Sequence, residues 1–550
     1  MNPTEIEARL LDAFRASLDV PELAPEDDVF ARGTNSIAIA RAIVAAAEAG
    51  VAVSIAGVYE HRNVRGIAAA SAGLEAPPDG TVEPFPLTPT GRFLMAEGRF
   101  AERYNICDLW DFDPGELRLP LLSAAIRTVM STLPTLGVRL DRTRDGILQV
   151  HRPAMPEEPL EHVDLSRLPA DAFSEAVERA AARLQRSLVF EASSPLIRFV
   201  VFEPAAGPWK LFILAHHLFL DGVGFRHFLH DLGRAYAALR DGRAHVSIGS
   251  MAAPDFWVRR LVRYANEECP AELPYWRSFP WDAYAAFRLP PQFDAAPDDP
   301  KPTFSDATAR ALHHDAGETR QDRDALCRDQ CTVRRRLDAA RSAAFFALDT
   351  GAQFDTVLFA TTDVLHRLTG SRDLWIDTFD SLRGPVFPDC DTSRVVGYVN
   401  EIVPLPLRVP EGLGTADAIR DIGRQRRQVP KRGLGFRALR YMNATPELAA
   451  EAARWPEPKI AVNYIASMQR DYPRRFLDLP TAPEWPGPPM DEQHTPYLLA
   501  FSVSCVDGLL TVDTRHAPAV SFRAADMANE QVLGALAALC DGPARLGSAA

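Results

Sequence analysis

The segment LFILAHHLFLDGVGF, residues 211–225, constrains this chain more than any other. An apolar run with strand character leads into two adjacent histidines. A turn at Asp221–Gly222 and a helical stretch, GFRHFLHDLGRAYAAL, follow. In an extended strand adjacent side chains point to opposite faces, so only one of His216 and His217 can face a given cavity. The other has to be packed and hydrogen-bonded. A bare histidine pair reads as two satisfied core residues; the full spacing, with Asp and Gly at a strand-to-helix junction, is far more specific.

The rest of the chain organises around that junction. Residues 1–72 form a small helical unit, with Ile6, Leu10, Leu11 and Phe14 at helical spacing. An acidic loop, PELAPEDDVF, comes next. A helix then starts near Ser36, and VRGIAAASAGL closes the unit. A linker rich in Pro and small residues is expected over 73–85. Residues 86–545 alternate helical and strand-like patterns, split by a polar, Pro-rich stretch between Arg288 and Asp324. A segment that long marks a crossover between units, which predicts two α/β lobes over 86–285 and 325–545. A length of 550 residues accommodates this arrangement.

The net charge of −13 and the lack of a strongly basic stretch argue against nucleic acid or an anionic membrane as partners. The N-terminal segment has neither the basic nor the apolar region of a secretory signal, and no apolar run is long enough to span a bilayer. Seven scattered cysteines read as free thiols in a reducing compartment, so a cytoplasmic location is expected. Cys327 and Cys331 have no second Cys or His pair at zinc-ligand spacing, so they read as structural and no metal is expected.

Two resemblances follow from these residues. The segment DDVFARGTNS, with Asp28, Phe30, Gly33 and Ser36 in place, makes the first unit resemble a peptidyl or acyl carrier protein. The resemblance implies an all-α four-helix bundle, 4'-phosphopantetheine esterified to Ser36, and a phosphopantetheinyl transferase as partner. Ser36 opens a helix, whose positive end suits a phosphate. Thr34 and Asn35 stand where the family usually has Gly and Asp or His.

The HHxxxDG pattern resembles the condensation domains of nonribosomal peptide synthetases, related to chloramphenicol acetyltransferase. That implies a V-shaped, two-lobed α/β fold with His217 in a tunnel between the lobes. It makes Asp221 a structural partner of an arginine, for which Arg383 in DTFDSLRGPVF is the candidate. VVGYVNEIVPL matches the motif that follows, at Gly397, Val399 and Asn400. PLTPTGRFL, SSPLIRFVVFE, PDFWVRRL and PYWRS are weaker matches, and STLPTLGVRL keeps little of its motif.

The implied chemistry is transfer of an acyl group from a pantetheine thioester to an amine or alcohol. His217 would handle the proton, and the Gly222 N–H would help polarise the carbonyl. His216, Asp221, Gly222, Arg383 and Asn400 would support the motif. His227 with His230, and His313 with His314, read as uninvolved. Loading is expected in trans, by an adenylation or upstream synthase protein, with another carrier or a free small molecule as acceptor. Two other readings stand beside this one. Epimerisation domains share the motif, and VPKRGLGFRALRYM and IAVNYIASM resemble their segments, but Phe379 stands where they place a catalytic glutamate. The third reading is an inactive platform that recruits a modifying enzyme.

Overall fold

The structure is a computed structural model. It describes the chain apart from residues 1–2, 19, 31–38, 40–41, 44, 47–48, 50, 52, 54–56, 59–60, 72–84, 97–103, 114, 133–138, 143–147, 152–157, 189–195, 244–253, 296–322, 325–330, 384–385, 388, 393–394, 467–474, 478, 481–482, 485–496, 518 and 542–550. Ser36, with Gly33, Thr34 and Asn35, lies outside the described residues, as do His313, His314 and Cys327.

The N-terminal unit is helical where it is described. Helix α1 (Pro3–Leu18) sets Ile6, Leu10 and Phe14 on one face, and α2 (Val64–Ser71) offers Val64 and Ile67. These residues share one buried cluster with Ile39, Ile43 and Val58. The loop toward the expected attachment point is pinned. Asp28 Oδ1 accepts from the Phe30 N–H at 2.8 Å, and Asp28 Oδ2 pairs with Arg62 at 2.8 Å. The Arg62 guanidinium lies 4.8 Å from the centre of the Phe30 ring.

The middle of the chain runs through α3 (Pro89–Ala96), β1 (Asn105–Phe112), α4 (Leu119–Thr132), β2 (Leu160–Leu165), α5 (Ala170–Arg186), β3 (Ile197–Pro204), β4 (Trp209–His216), α6 (Gly222–Arg240) and α7 (Pro254–Arg263). β4 is central: β1 and β3 pair with it on either side, both antiparallel, and β2 runs parallel to β3. This position explains the unbroken apolar run. Leu211, Ile213 and Ala215 pack with residues of α4 and α6, while Phe212 and Leu214 pack on Phe173, Val177 and Ala181 of α5. A strand covered on both faces needs apolar residues of both parities.

The second half supplies β5 (Cys331–Arg336), α8 (Thr350–Thr369), β6 (Asp373–Asp380), β7 (Glu401–Arg408), α9 (Leu434–Met442), β8 (Ile460–Tyr464), β9 (Leu499–Val506), β10 (Leu509–His516) and α10 (Phe522–Asp541). Its sheet runs β7–β6–β8–β9–β10–β5, with Arg323–Asp324 beyond β5. β6, β8 and β9 are parallel neighbours and the other pairs antiparallel. Helix α8 starts on Asp349, whose side chain accepts from the Ala352 N–H. It stops at Gly370 in the left-handed region (φ 72°), which only glycine adopts without strain.

Two features cut across the expected lobes. Residues 254–285, expected in the first lobe, send Trp257, Leu261, Tyr264 and Trp276 into the core that holds the second sheet. The opening segment does the same through Phe85, Phe93 and Leu94. The physical reason is that these faces carry large aromatic and aliphatic groups, matched by Phe387 and Phe436. In the other direction, Pro483–Glu484 pairs antiparallel with β1 and so extends the first sheet.

Candidate active site

The two histidines separate as strand geometry requires. β4 ends at His216, which is fully buried, and its N–H donates to the Leu196 carbonyl at 2.7 Å. His217 opens the turn and is only half-buried. Its N–H donates to the Tyr104 carbonyl at 2.7 Å, and its ring Nδ1 lies 3.0 Å from the Leu220 carbonyl. A carbonyl only accepts, so Nδ1 carries the proton and Nε2 keeps its lone pair. Burial pushes the imidazolium below the usual histidine range, against the pull of the Asp221 charge. His217 is therefore neutral at pH 7 and holds an available base.

Asp221 is fully buried and works as a knot. It caps α6, Oδ1 accepting from the Gly224 N–H at 2.7 Å. Arg383 Nη2 donates to both its oxygens, at 2.8 and 2.9 Å, across 162 residues of chain. The N–H groups of Val399 and Asn400 donate to Oδ2 at 2.8 and 3.2 Å. Arg383 Nη1 in turn donates to the carbonyls of Thr392 and Val395. The carboxylate thus ties the start of α6 to the two second-half segments that the motifs singled out. Gly222 is the first residue of α6 and is buried. Gly224 is needed for the close approach, because a Cβ there would sit 3.1 Å from the Gly397 carbonyl oxygen.

Phe379 lies on β6, half-buried and opposite Ile402 of β7. The neighbouring carboxylate, Asp380, is engaged by the Leu382 N–H and by Arg432. His230 stands near Asp231 on α6, away from the turn. Among the described residues no group of His, Cys, Asp and Glu could hold a metal ion, and no helix is long and apolar enough to cross a membrane.

A condensation-domain family model matches residues 112–527, well over half of the chain, and a phosphopantetheine attachment-site model matches residues 8–71. The chain belongs to the condensation-domain family. It joins a carrier domain to a condensation domain, as nonribosomal peptide synthetases do. The chondramide synthase of Chondromyces crocatus is 28% identical over 475 residues, covering 84% of this chain and 11% of that one. The chain spans about a tenth of the length of the curated relatives it matches. The solved epimerization domain from the third module of tyrocidine synthetase B superposes with a TM-score of 0.65 at 19% identity, over 84% of this chain and 99% of that one. The first condensation domain of the CDA synthetase gives 0.56 at 18%, over 85% and 100%. At such identities the likeness shows the shared fold alone.

Sequence reasoning missed three residues of this condensation-domain site. The Tyr104 ring stacks on His217 with centroids 4.5 Å apart and planes 16° apart. Tyr398 presents its ring at 81° and 5.9 Å. Burial pushes the Tyr104 phenol up to about 12 and that of Tyr398 well above its usual range, so both stay neutral. Glu401, directly after Asn400, is buried and accepts from the Thr90 N–H of α3 at 2.8 Å. Tyr398 lies inside the motif VVGYVNEIVPL, and Glu401 is a charged residue opening an apolar strand; those were the available signals.

Proposed function

We propose that this didomain transfers an acyl group from a pantetheine thioester on Ser36 to an amine or alcohol, with His217 Nε2 taking or holding the proton of the nucleophile. The observation that carries the reading is the prepared ring of His217: Nδ1–H is committed to the Leu220 carbonyl, Nε2 is left as the base, and burial keeps the ring neutral. The arm, when bound, supplies an acyl group already activated as a thioester, so the chain needs no nucleophile of its own. The described part of the carrier fits such an arm, since its core is packed and the loop toward Ser36 is anchored by Asp28 and Arg62. Asp221 and Arg383 hold the turn in which His217 sits, and Asn400 enters through its backbone N–H. The N-terminus of α6 at Gly222 offers a favourable end for negative charge that develops on the carbonyl oxygen. Phe379 supports condensation over epimerisation, because inverting an α-carbon requires a second acid–base group. A phosphopantetheinyl transferase, a loading protein acting in trans and a carrier-bound or free acceptor are the partners this reading requires, in the cytoplasm.

The test is to load Ser36 with an acyl-pantetheine arm and offer amines, alcohols and aminoacyl carriers, following the arm by intact-protein mass spectrometry. Loss of the acyl group to one nucleophile class, abolished by His217→Ala, is the expected result. Retention of the acyl group with solvent exchange of its α-proton would overturn the reading in favour of epimerisation.

A further inference from the structure

His217 is fixed by one hydrogen bond at Nδ1, which leaves the ring free to rock about that bond. Two tyrosines close off that freedom from different parts of the chain. Tyr104, immediately before β1, covers one face of the ring. Tyr398, between the Gly397 carbonyl that accepts from Asp221 N–H and the Val399 N–H that donates to the Asp221 carboxylate, stands edge-on to it. Tyr398 is buried and Tyr104 half-buried. The first tyrosine is anchored to the first sheet, since its carbonyl accepts from His217 N–H and Asn105 pairs with His216. The second is anchored to the Asp221 knot.

We infer that Tyr104 and Tyr398 are positioning residues, a two-ring clamp whose stacked and edge-on contacts fix the plane of His217 and aim Nε2. The inference rests on the acyl-transfer reading for its kinetic consequence, but not for its structural one. A clamp of this kind acts in two ways. It holds the base within the narrow range that a proton transfer needs, where a displacement of about 1 Å costs on the order of 100-fold in rate. It also excludes water from the imidazole, the main cause of its lowered basicity, and places an aromatic face against a ring that becomes cationic when it accepts a proton.

The test compares Tyr104→Phe and Tyr398→Phe, which keep the rings, with Tyr104→Ala, which removes one, in the full chain. Histidine labelled with carbon-13 at Cε1 gives one resonance per ring, and the His217 signal is the one missing from His217→Ala. In the unvaried chain that resonance is expected to be shifted upfield by the Tyr104 ring current and to titrate below an ordinary histidine. Each Phe variant keeps its ring, and with it the ring-current shift, and holds kcat within about 3-fold of the unvaried chain. Tyr104→Ala abolishes the upfield shift, moves the titration up toward the ordinary histidine range, and carries the acid limb of kcat/KM upward with it. Loss of the upfield shift in Tyr104→Phe, or a His217 titration unmoved by Tyr104→Ala, overturns the clamp. Should Tyr104→Ala fail to fold, Tyr104→Leu removes the aromatic face while keeping bulk, and an upfield shift that survives in it overturns the clamp. The resonance is read without any acyl donor. A clamp seen by NMR in a chain that transfers no acyl group would therefore sink the functional reading alone, and transfer with no clamp signature would sink this inference alone.

Discussion

Two buried aspartate–arginine pairs hold the larger domain, and they do different things. At the site, Asp221 meets Arg383; in the second core, Asp377 of β6 meets Arg437 of α9. Both carboxylates are fully buried and both arginines nearly so. Arg437 makes two parallel bonds, Nη1 to Oδ1 at 2.9 Å and Nη2 to Oδ2 at 2.8 Å, whereas Arg383 uses one nitrogen on both oxygens and the other on backbone carbonyls. The remaining partners decide the roles. Asp221 also takes three backbone N–H groups, from Gly224, Val399 and Asn400. Asp377 takes the Tyr497 hydroxyl, while Arg437 also reaches Glu457 and the Ile402 carbonyl and stacks 4.1 Å over Phe93. The first carboxylate gathers main-chain N–H groups beside the reacting ring; the second is held by side chains in a core. A buried charge pair points to a site when its carboxylate shapes the main chain there.

The largest expected effect comes from breaking the first pair. Asp221→Ala leaves Arg383 buried without a counter-charge, removes the α6 cap and frees the N–H groups of Val399 and Asn400. Unfolding in urea should show a loss of about 3–5 kcal/mol, the usual cost of removing one partner of a buried pair. Acyl transfer should fall at least about 100-fold under conditions where the variant remains folded, since the His217 turn loses its anchor. Breaking the second pair separates the two outcomes. Arg437→Ala leaves Asp377 buried without its counter-charge and should also cost about 3–5 kcal/mol of stability. Its kcat, measured well below its unfolding temperature, should stay within about 3-fold of the unvaried chain, because lost packing rather than lost geometry is at stake. A fall in kcat as steep as that of Asp221→Ala would show that the second pair also positions the site, and the distinction would fail.

The two pairs were unequally legible in the sequence. Asp221 and Arg383 belong to spaced motifs; the spacing pointed to a strand–turn–helix junction, and the resemblance to condensation domains implied the arginine partner. Asp377 and Arg437 sit in WIDTF and GFRAL, where nothing short-range links them; only an aspartate inside an otherwise apolar strand hinted at a buried partner. The same limit applies to Tyr104 and Tyr398, which meet at His217 through tertiary placement alone. The packing partner of residues 254–285 was hidden for a related reason. Helical periodicity marks which face of residues 254–285 is apolar, but not which sheet that face will cover.

Glu401 lies between the two pairs and adds a titration to the contrast. It follows Asn400 in the chain, pairs in register with Asp380, and feels the Arg437 charge. Burial raises its carboxyl to about 7, despite the hydrogen bonds from Thr88 and Thr90. A carboxyl with a raised folded pKa is held protonated by the fold, so its favourable contribution is complete below the unfolded value near 4.5 and is lost as pH rises through about 7. A rise of that size corresponds to roughly 3 kcal/mol at full expression, with relaxation and water entry reducing it to about 1–3 kcal/mol. Glu401→Gln keeps an acceptor for the Thr90 N–H but cannot ionise. Its stability relative to the unvaried chain should therefore be higher at pH 8 than at pH 5 by that amount, read from paired urea titrations. His217 contributes with the opposite sign, because its lowered folded value favours the neutral ring; that contribution is present above the ordinary histidine range and is lost as pH falls. The Glu401→Gln difference should thus appear on the alkaline side, and a His217→Ala difference on the acidic side. Parallel pH curves for Glu401→Gln and the unvaried chain would mean that Glu401 is ionised in the fold and belongs electrostatically to the Arg437 network rather than to the segment beside the site.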